Sequence, residues 1–150
     1  MSIDDFKKKI ANNSRLLGID HGKKNIGIAI CDNKRSVATP FKTLKKDTLR
    51  TTLKEINKII QENDIKGIII GNPINMDGSI GKSAQSVKDF AKNISKNITI
   101  PISLWDERLS TNAAFNMTKG LNTNVSNKIK NLDKNSAAFI LQGAIDYLNN

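Results

Sequence analysis

The sequence predicts an α/β fold: a five-stranded mixed sheet, three antiparallel strands followed by two parallel ones, flanked by helices. Three observations carry this expectation. Two apolar runs, Leu16-Leu17-Gly18-Ile19 and Ile26-Gly27-Ile28-Ala29-Ile30, are joined by a short turn bearing Gly22, Lys23 and Lys24, and a third, alternating run follows them. The hydrophobic period then switches from two residues to helical spacing. Finally, two short apolar segments, 67–71 and 98–105, are separated by a helical stretch, and a crossover of that kind requires parallel pairing. The 150 residues amount to one domain with room for a sizeable core, and no linker or internal repeat divides 1–150.

Each element has its own signal. Residues 1–14 are polar and charged and read as a leader, either a short helix or loose chain. Residues 15–31 supply the first two strands, and Asp32-Asn33-Lys34 turns the chain. In 36–44, Val37, Thr39, Phe41 and Thr43 alternate with Ala38, Pro40 and Lys42, a third strand in which Pro40 marks an edge or a bulge. Leu49, Leu53, Ile56 and Ile60 then recur at helical spacing, with Lys54, Glu55 and Lys58 on the outer face, so 47–63 is an amphipathic helix. Gly67-Ile68-Ile69-Ile70-Gly71 has the wholly apolar pattern of a central parallel strand covered on both faces. A loop over 72–79 ends in the Asp77-Gly78 turn, and Ile80, Ala84, Val87, Ala91 and Ile94 define the next helix. The fifth strand, 98–105, closes on Asp106-Glu107-Arg108. Ser110 or Thr111 caps a further helix, residues 119–130 form a mobile basic loop, and a last helix runs from near Asp133 to about Leu148. This is the element order of a ribonuclease H-like domain.

Composition narrows the partners. Lysine and arginine number 24 against 14 acidic residues, a formal charge of +10. Such an excess favours a polyanionic partner, and its spread along the chain favours a basic face over a basic arm. Cys31 is the one cysteine, so no disulfide forms within the chain; it reads as a small core residue in a reducing compartment. The N-terminus has no apolar segment after its basic cluster, and no apolar run approaches the ~18 residues that span a bilayer. The expected setting is the cytoplasm, with nucleic acid as partner and no membrane.

Acidic residues fall at element ends: Asp20 on strand one, Asp77 after strand four, Asp106-Glu107 after strand five, and Asp133 at the start of the last helix. Three carboxylates drawn from the ends of strands one and five and the last helix make an oxygen-rich site for Mg²⁺ or Mn²⁺. Two such ions ~4 Å apart activate water and stabilise the leaving oxygen in phosphodiester hydrolysis. Each residue also has a purely structural reading. Asp20 can cap the turn of an Asp-x-Gly sequence, Asp133 can cap a helix, Asp106 or Glu107 can pair with Arg108, and Asp77 reads as a turn residue. His21 stands alone beside Asp20, and a lone histidine is more often structural than a ligand.

Taken together, Gly18-Ile19-Asp20-His21-Gly22, Gly71-Asn72-Pro73 with Asn75-Met76-Asp77-Gly78-Ser79, Asp106-Glu107-Arg108-Leu109-Ser110-Thr111, and Asp133 with Ala137-Ala138 and Ile140-Leu141-Gln142 resemble the pre-16S rRNA nuclease family of the YqgF/RuvX type, also described as Holliday-junction-resolvase-like. The resemblance spans nearly the whole chain. It implies a ribonuclease H-like fold, a cytoplasmic nuclease, and trimming of the 5′ end of the 16S rRNA precursor, with a pre-ribosomal particle as a partner. It also implies Asp20, Glu107 and Asp133 as catalytic metal ligands, with Glu107 preferred to Asp106. Arg108 would hold a phosphate or orient its neighbour, and Lys23, Lys24, Lys119, Lys128 and Lys130 would contact the nucleic-acid backbone. Resolution of branched DNA and a catalytically idle nucleic-acid-binding module are the alternatives. An actin-like ATPase shares the Asp-x-Gly turn but needs two such domains. Three features depart from the family pattern: Asn72 where an apolar residue is usual, an alanine pair one place later, and a longer leader.

Overall fold

The computed structural model describes residues 1–75, 77–109 and 136–150. Its elements are α1 (Ile3–Lys9), β1 (Leu16–His21), β2 (Asn25–Cys31), β3 (Ala38–Lys45), α2 (Leu49–Asn63), β4 (Gly67–Asn72), α3 (Lys82–Asn97), β5 (Ile102–Asp106) and α4 (Ser136–Leu148). The basic loop over 119–130 and the residues Lys119, Lys128, Lys130 and Asp133 lie outside the described residues.

The sheet is mixed, in the order β3-β2-β1-β4-β5. The β1–β2 and β2–β3 pairs are antiparallel, and β1–β4 and β4–β5 are parallel. This is the predicted architecture, and the short hairpin turns against the long helical crossovers account for it. Pro40 does mark both an edge and a bulge: Lys42 pairs with Ile28 and Pro40 with Ala29, so Phe41 has no partner across the ladder.

Alternation along each strand sorts the core into two layers. Leu17, Ile19, Ile28, Ile68 and Ile70 face α2 and α3, meeting Ile56, Ile59, Val87, Phe90 and Ile94. Leu16, Ala29, Ile69 and Trp105 face the other way, against Phe6 of α1 and Ala137, Leu141, Ala144 and Ile145 of α4. β4 is buried along its whole length, as a strand covered on both faces must be. Full burial of Phe6, Leu141 or Ile145 contributes about 1.5–3 kcal/mol each. The leader thus contains a helix that closes one end of this second layer.

Boundaries moved where an apolar residue suits two structures equally. Ile98 ends α3, its N–H donating to Ile94 O, so β5 starts at Ile102 rather than 98. Leu49 and Ile80 are exposed, and Ile59 and Phe90 take inward positions instead. Residues 107–109 are helical, and the helix cap expected at Ser110 or Thr111 lies outside the described residues. Asn72 is buried and, among the described residues, its Oδ1 has no hydrogen-bond partner. An acceptor left in that state costs about 1–3 kcal/mol, which is why an apolar residue is the ordinary occupant of such a position.

Candidate active site

β1 presents Leu16, Gly18 and Asp20 to the α4 layer and Leu17, Ile19 and His21 to the other, because successive side chains alternate. Asp20 therefore lies at the far end of the α4 face, opposite Gly27 in the β1–β2 ladder. The hydroxyl of Ser136, the first residue of α4, donates to the Asp20 carboxylate. Burial pushes the Asp20 carboxyl above its usual range, and the Ser136 hydrogen bond works against that rise.

Glu107 reaches the same place from β5. In the β4–β5 ladder Gly71 stands opposite Trp105 and Asn72 opposite Asp106, so the chain turns into a helix just beyond the end of β4. The Glu107 carboxylate lies over Gly71: a Cβ there would sit 2.7 Å from Glu107 Oε1 and 2.5 Å from Ile140 Cδ1. Glycine leaves that space free, and a side chain there would push the Glu107 carboxylate and the end of Ile140 aside. Burial first, then the charges of Asp20 and Asp106, push the Glu107 carboxyl up to about 7.

The neighbouring acids are occupied elsewhere. Asp106 accepts from Arg108 Nε at 3.1 and 3.0 Å and from Nη2 at 2.7 Å, and the Arg108 backbone N–H adds a bond at 3.0 Å. That fork holds the Asp106 carboxyl below its usual range and ties down the guanidinium expected to hold a phosphate. Asp77 Oδ1 accepts from the Ser79 N–H and hydroxyl, the turn role expected of it. His21 faces away from Asp20 and stacks on Phe90, ring centroids 4.4 Å apart. Lys23 and Lys24 are exposed on the β1–β2 turn.

Asp20, Glu107 and Ser136 form an all-oxygen set in which two half-buried carboxylates repel each other. A hard divalent cation offsets that repulsion, so these residues fit the Mg²⁺ or Mn²⁺ expected from the sequence. Among the described residues, no group of three His, Cys, Asp or Glu side chains is placed to hold a metal. A cleft of about 540 Å³ opens beside Asp20, lined among others by Asn25, Phe41, Thr43 and Ser136. The sequence offers Gly71 only as part of a family motif and gives Ser136 no role; a hydroxyl heading the Ala137-Ala138 helix is the available signal for the latter.

The pH response of the metal-free protein follows from Glu107. Its carboxyl titrates at about 7 in the fold against 4.5 ordinarily, so the stability it contributes is full below pH 4.5 and lost as pH rises through 7. The partly exposed site reduces the loss to about 1–2 kcal/mol between pH 5 and 8. Thermal unfolding in chelator should show that decline, Mn²⁺ should raise the midpoint more at pH 8 than at pH 5, and Glu107→Gln should flatten both responses. An equal Mn²⁺ effect in wild type and Glu107→Gln would remove Glu107 from the ligand set.

Comparison with known proteins agrees along the whole chain. Residues 14–147 match the family model described as RuvX: Holliday junction resolvase. A protein of Pelagibacter ubique is 57% identical over 150 residues, covering 100% of this chain and 99% of its own. One of Rhodobacter capsulatus is 40% identical over 146 residues, covering 97% and 92%. Both carry the provisional name pre-16S rRNA nuclease. The solved structure of Thermus thermophilus RuvC matches with a TM-score of 0.51 at 9% identity, covering 87% of this chain and 91% of that one, a likeness of fold.

Proposed function

Because the chain belongs to the RuvX family, we propose that it is a metal-dependent nuclease of structured nucleic acid, acting on the 5′ end of the 16S rRNA precursor in the cytoplasm. The observation that supports this most is the meeting of Asp20 and Glu107 at the same end of the sheet from strands far apart in sequence. In this reading Asp20, Glu107 and Asp133 hold Mg²⁺ or Mn²⁺, which when bound supplies Lewis acidity and a more acidic water. Ser136 fixes the orientation of Asp20 and favours its ionised form. Glu107, titrating at about 7, is the group able to exchange a proton at its carboxyl near neutral pH. Lys23, Lys24, Lys119, Lys128 and Lys130 contribute backbone contacts, which raise affinity without reading sequence. A pre-ribosomal particle is the partner this substrate brings with it.

The family description favours one second reading, cleavage of branched DNA. Both are tested together. The full-length protein is incubated with a 16S precursor fragment carrying its 5′ extension and with a four-way DNA junction, each in Mg²⁺, Mn²⁺ or chelator. The proposal expects cuts at the 5′ extension with metal and none with chelator. Cleavage of the junction alone would establish the second reading, and an intact pair of substrates under every condition would leave a binding module.

A further inference from the structure

We infer that a small pocket between the β1–β2 turn, the end of β3 and the start of α3 is a separate site for one phosphate of the nucleic-acid backbone. The inference rests on the nuclease reading for the identity of the chain that carries this phosphate, and on the pocket itself for the phosphate. Lys23, Lys46, Lys82, Ser83 and Ser86 line it together with His21. Three lysines from three separate parts of the chain thus line one space, and among the described residues no carboxylate lines it with them.

Like charges around one space repel, and an anion bound in that space relieves the repulsion, by less the more water and salt screen these exposed side chains. Of the described lysines only Lys42, with Glu55 at 3.4 Å, and Lys66, with Asp64 at 2.9 Å, form ion pairs. Among the described residues, Lys23, Lys46 and Lys82 form no ion pair. The Lys46 ammonium makes one long hydrogen bond there, to Gly22 O at 3.4 Å, which holds it at the pocket while leaving donors over. Ser83 and Ser86, three residues apart on one face of α3, add hydroxyl donors to the same side. The first turn of this 16-residue helix has no side-chain cap at Gly81, so its N–H groups add to the same field.

Size selects the ligand. The pocket measures about 110 Å³ against about 540 Å³ for the cleft beside Asp20, a space for a phosphate group rather than a nucleoside. Position connects it to the chemistry. His21 and Asp20 are consecutive at the end of β1 and face opposite layers, so the two sites flank the same sheet end. A nucleic-acid strand crossing that end meets Asp20 with one phosphate and the lysines with another.

The test compares two full-length double variants of equal charge, Lys46→Gln/Lys82→Gln in the pocket and Lys88→Gln/Lys92→Gln on the outer face of α3. Binding of the 16S precursor fragment is measured in chelator over a range of KCl concentrations. The pocket pair should lose roughly tenfold in affinity and flatten the log–log salt slope by about 0.7–0.9 for the lost phosphate, while the outer pair changes less than about twofold. In amide spectra, inorganic phosphate should shift Ser83 and Ser86 in wild type and not in the pocket pair. Equal losses in the two pairs, or no phosphate-dependent shift in wild type, would overturn the site. Cleavage by wild type with Mn²⁺ is scored separately: uncut RNA with the pocket effects intact counts against the nuclease reading alone.

Discussion

Replacing Asp20 by Asn should lower phosphodiester hydrolysis by roughly three orders of magnitude or more and leave the fold in place. The substitution keeps the shape and an oxygen for the Ser136 hydroxyl to donate to, so the local packing survives. What it removes is the charge. A metal-supported step draws several kcal/mol of transition-state stabilisation from such a ligand set, and each 1.36 kcal/mol is tenfold in rate. A second consequence separates this loss from misfolding. Asp20 is one of the causes that raise Glu107, after burial, so Asp20→Asn should bring the Glu107 titration down toward its ordinary range. The metal-free variant should then be more stable than wild type at pH 8 and lose its Mn²⁺-dependent rise in melting temperature. Single-turnover cleavage, carboxyl titration by NMR and thermal unfolding read the three effects. Cleavage within tenfold of wild type would remove Asp20 from the chemistry.

Gly18→Ala should act through packing, destabilising the protein by about 1–3 kcal/mol, or several degrees in melting temperature. A Cβ at Gly18 would lie 2.7 Å from Leu141 Cβ and 3.0 Å from the Ala137 carbonyl oxygen. Neither atom is the end of a flexible side chain, so α4 itself has to move off the sheet. Ser136 begins that helix, and lifting it takes the hydroxyl from Asp20. Activity should therefore fall even though every carboxylate remains. Gly27→Ala is the comparison: its Cβ would meet Ala137 Cβ at 3.5 Å and Asp20 Cβ at 3.6 Å, ordinary contact, and its melting temperature should stay close to that of wild type. If both variants melt alike, the close seat of α4 is not what limits stability there.

Residue pattern alone carried most of the architecture. Burial is local in its demands: a strand in a sheet alternates, a helix on a sheet repeats every three to four residues, and an all-apolar run such as Ile68-Ile69-Ile70 needs cover on both faces. The boundaries slipped where that logic is silent, since Ile98 is buried equally well closing α3 or opening a strand.

Acidic residues at element ends, the +10 charge and the family motifs were likewise legible in one dimension, because composition and spacing need no neighbours. Tertiary structure decided the rest. Asp106 and Glu107 are adjacent in sequence, and only the turn at the end of β5 sends one to Arg108 and the other toward Asp20. Ser136 meets Asp20, and Lys23, Lys46 and Lys82 come to line one pocket, through strand register and the seating of helices on the sheet. Those placements depend on long-range packing across two core layers, so no single segment encodes them.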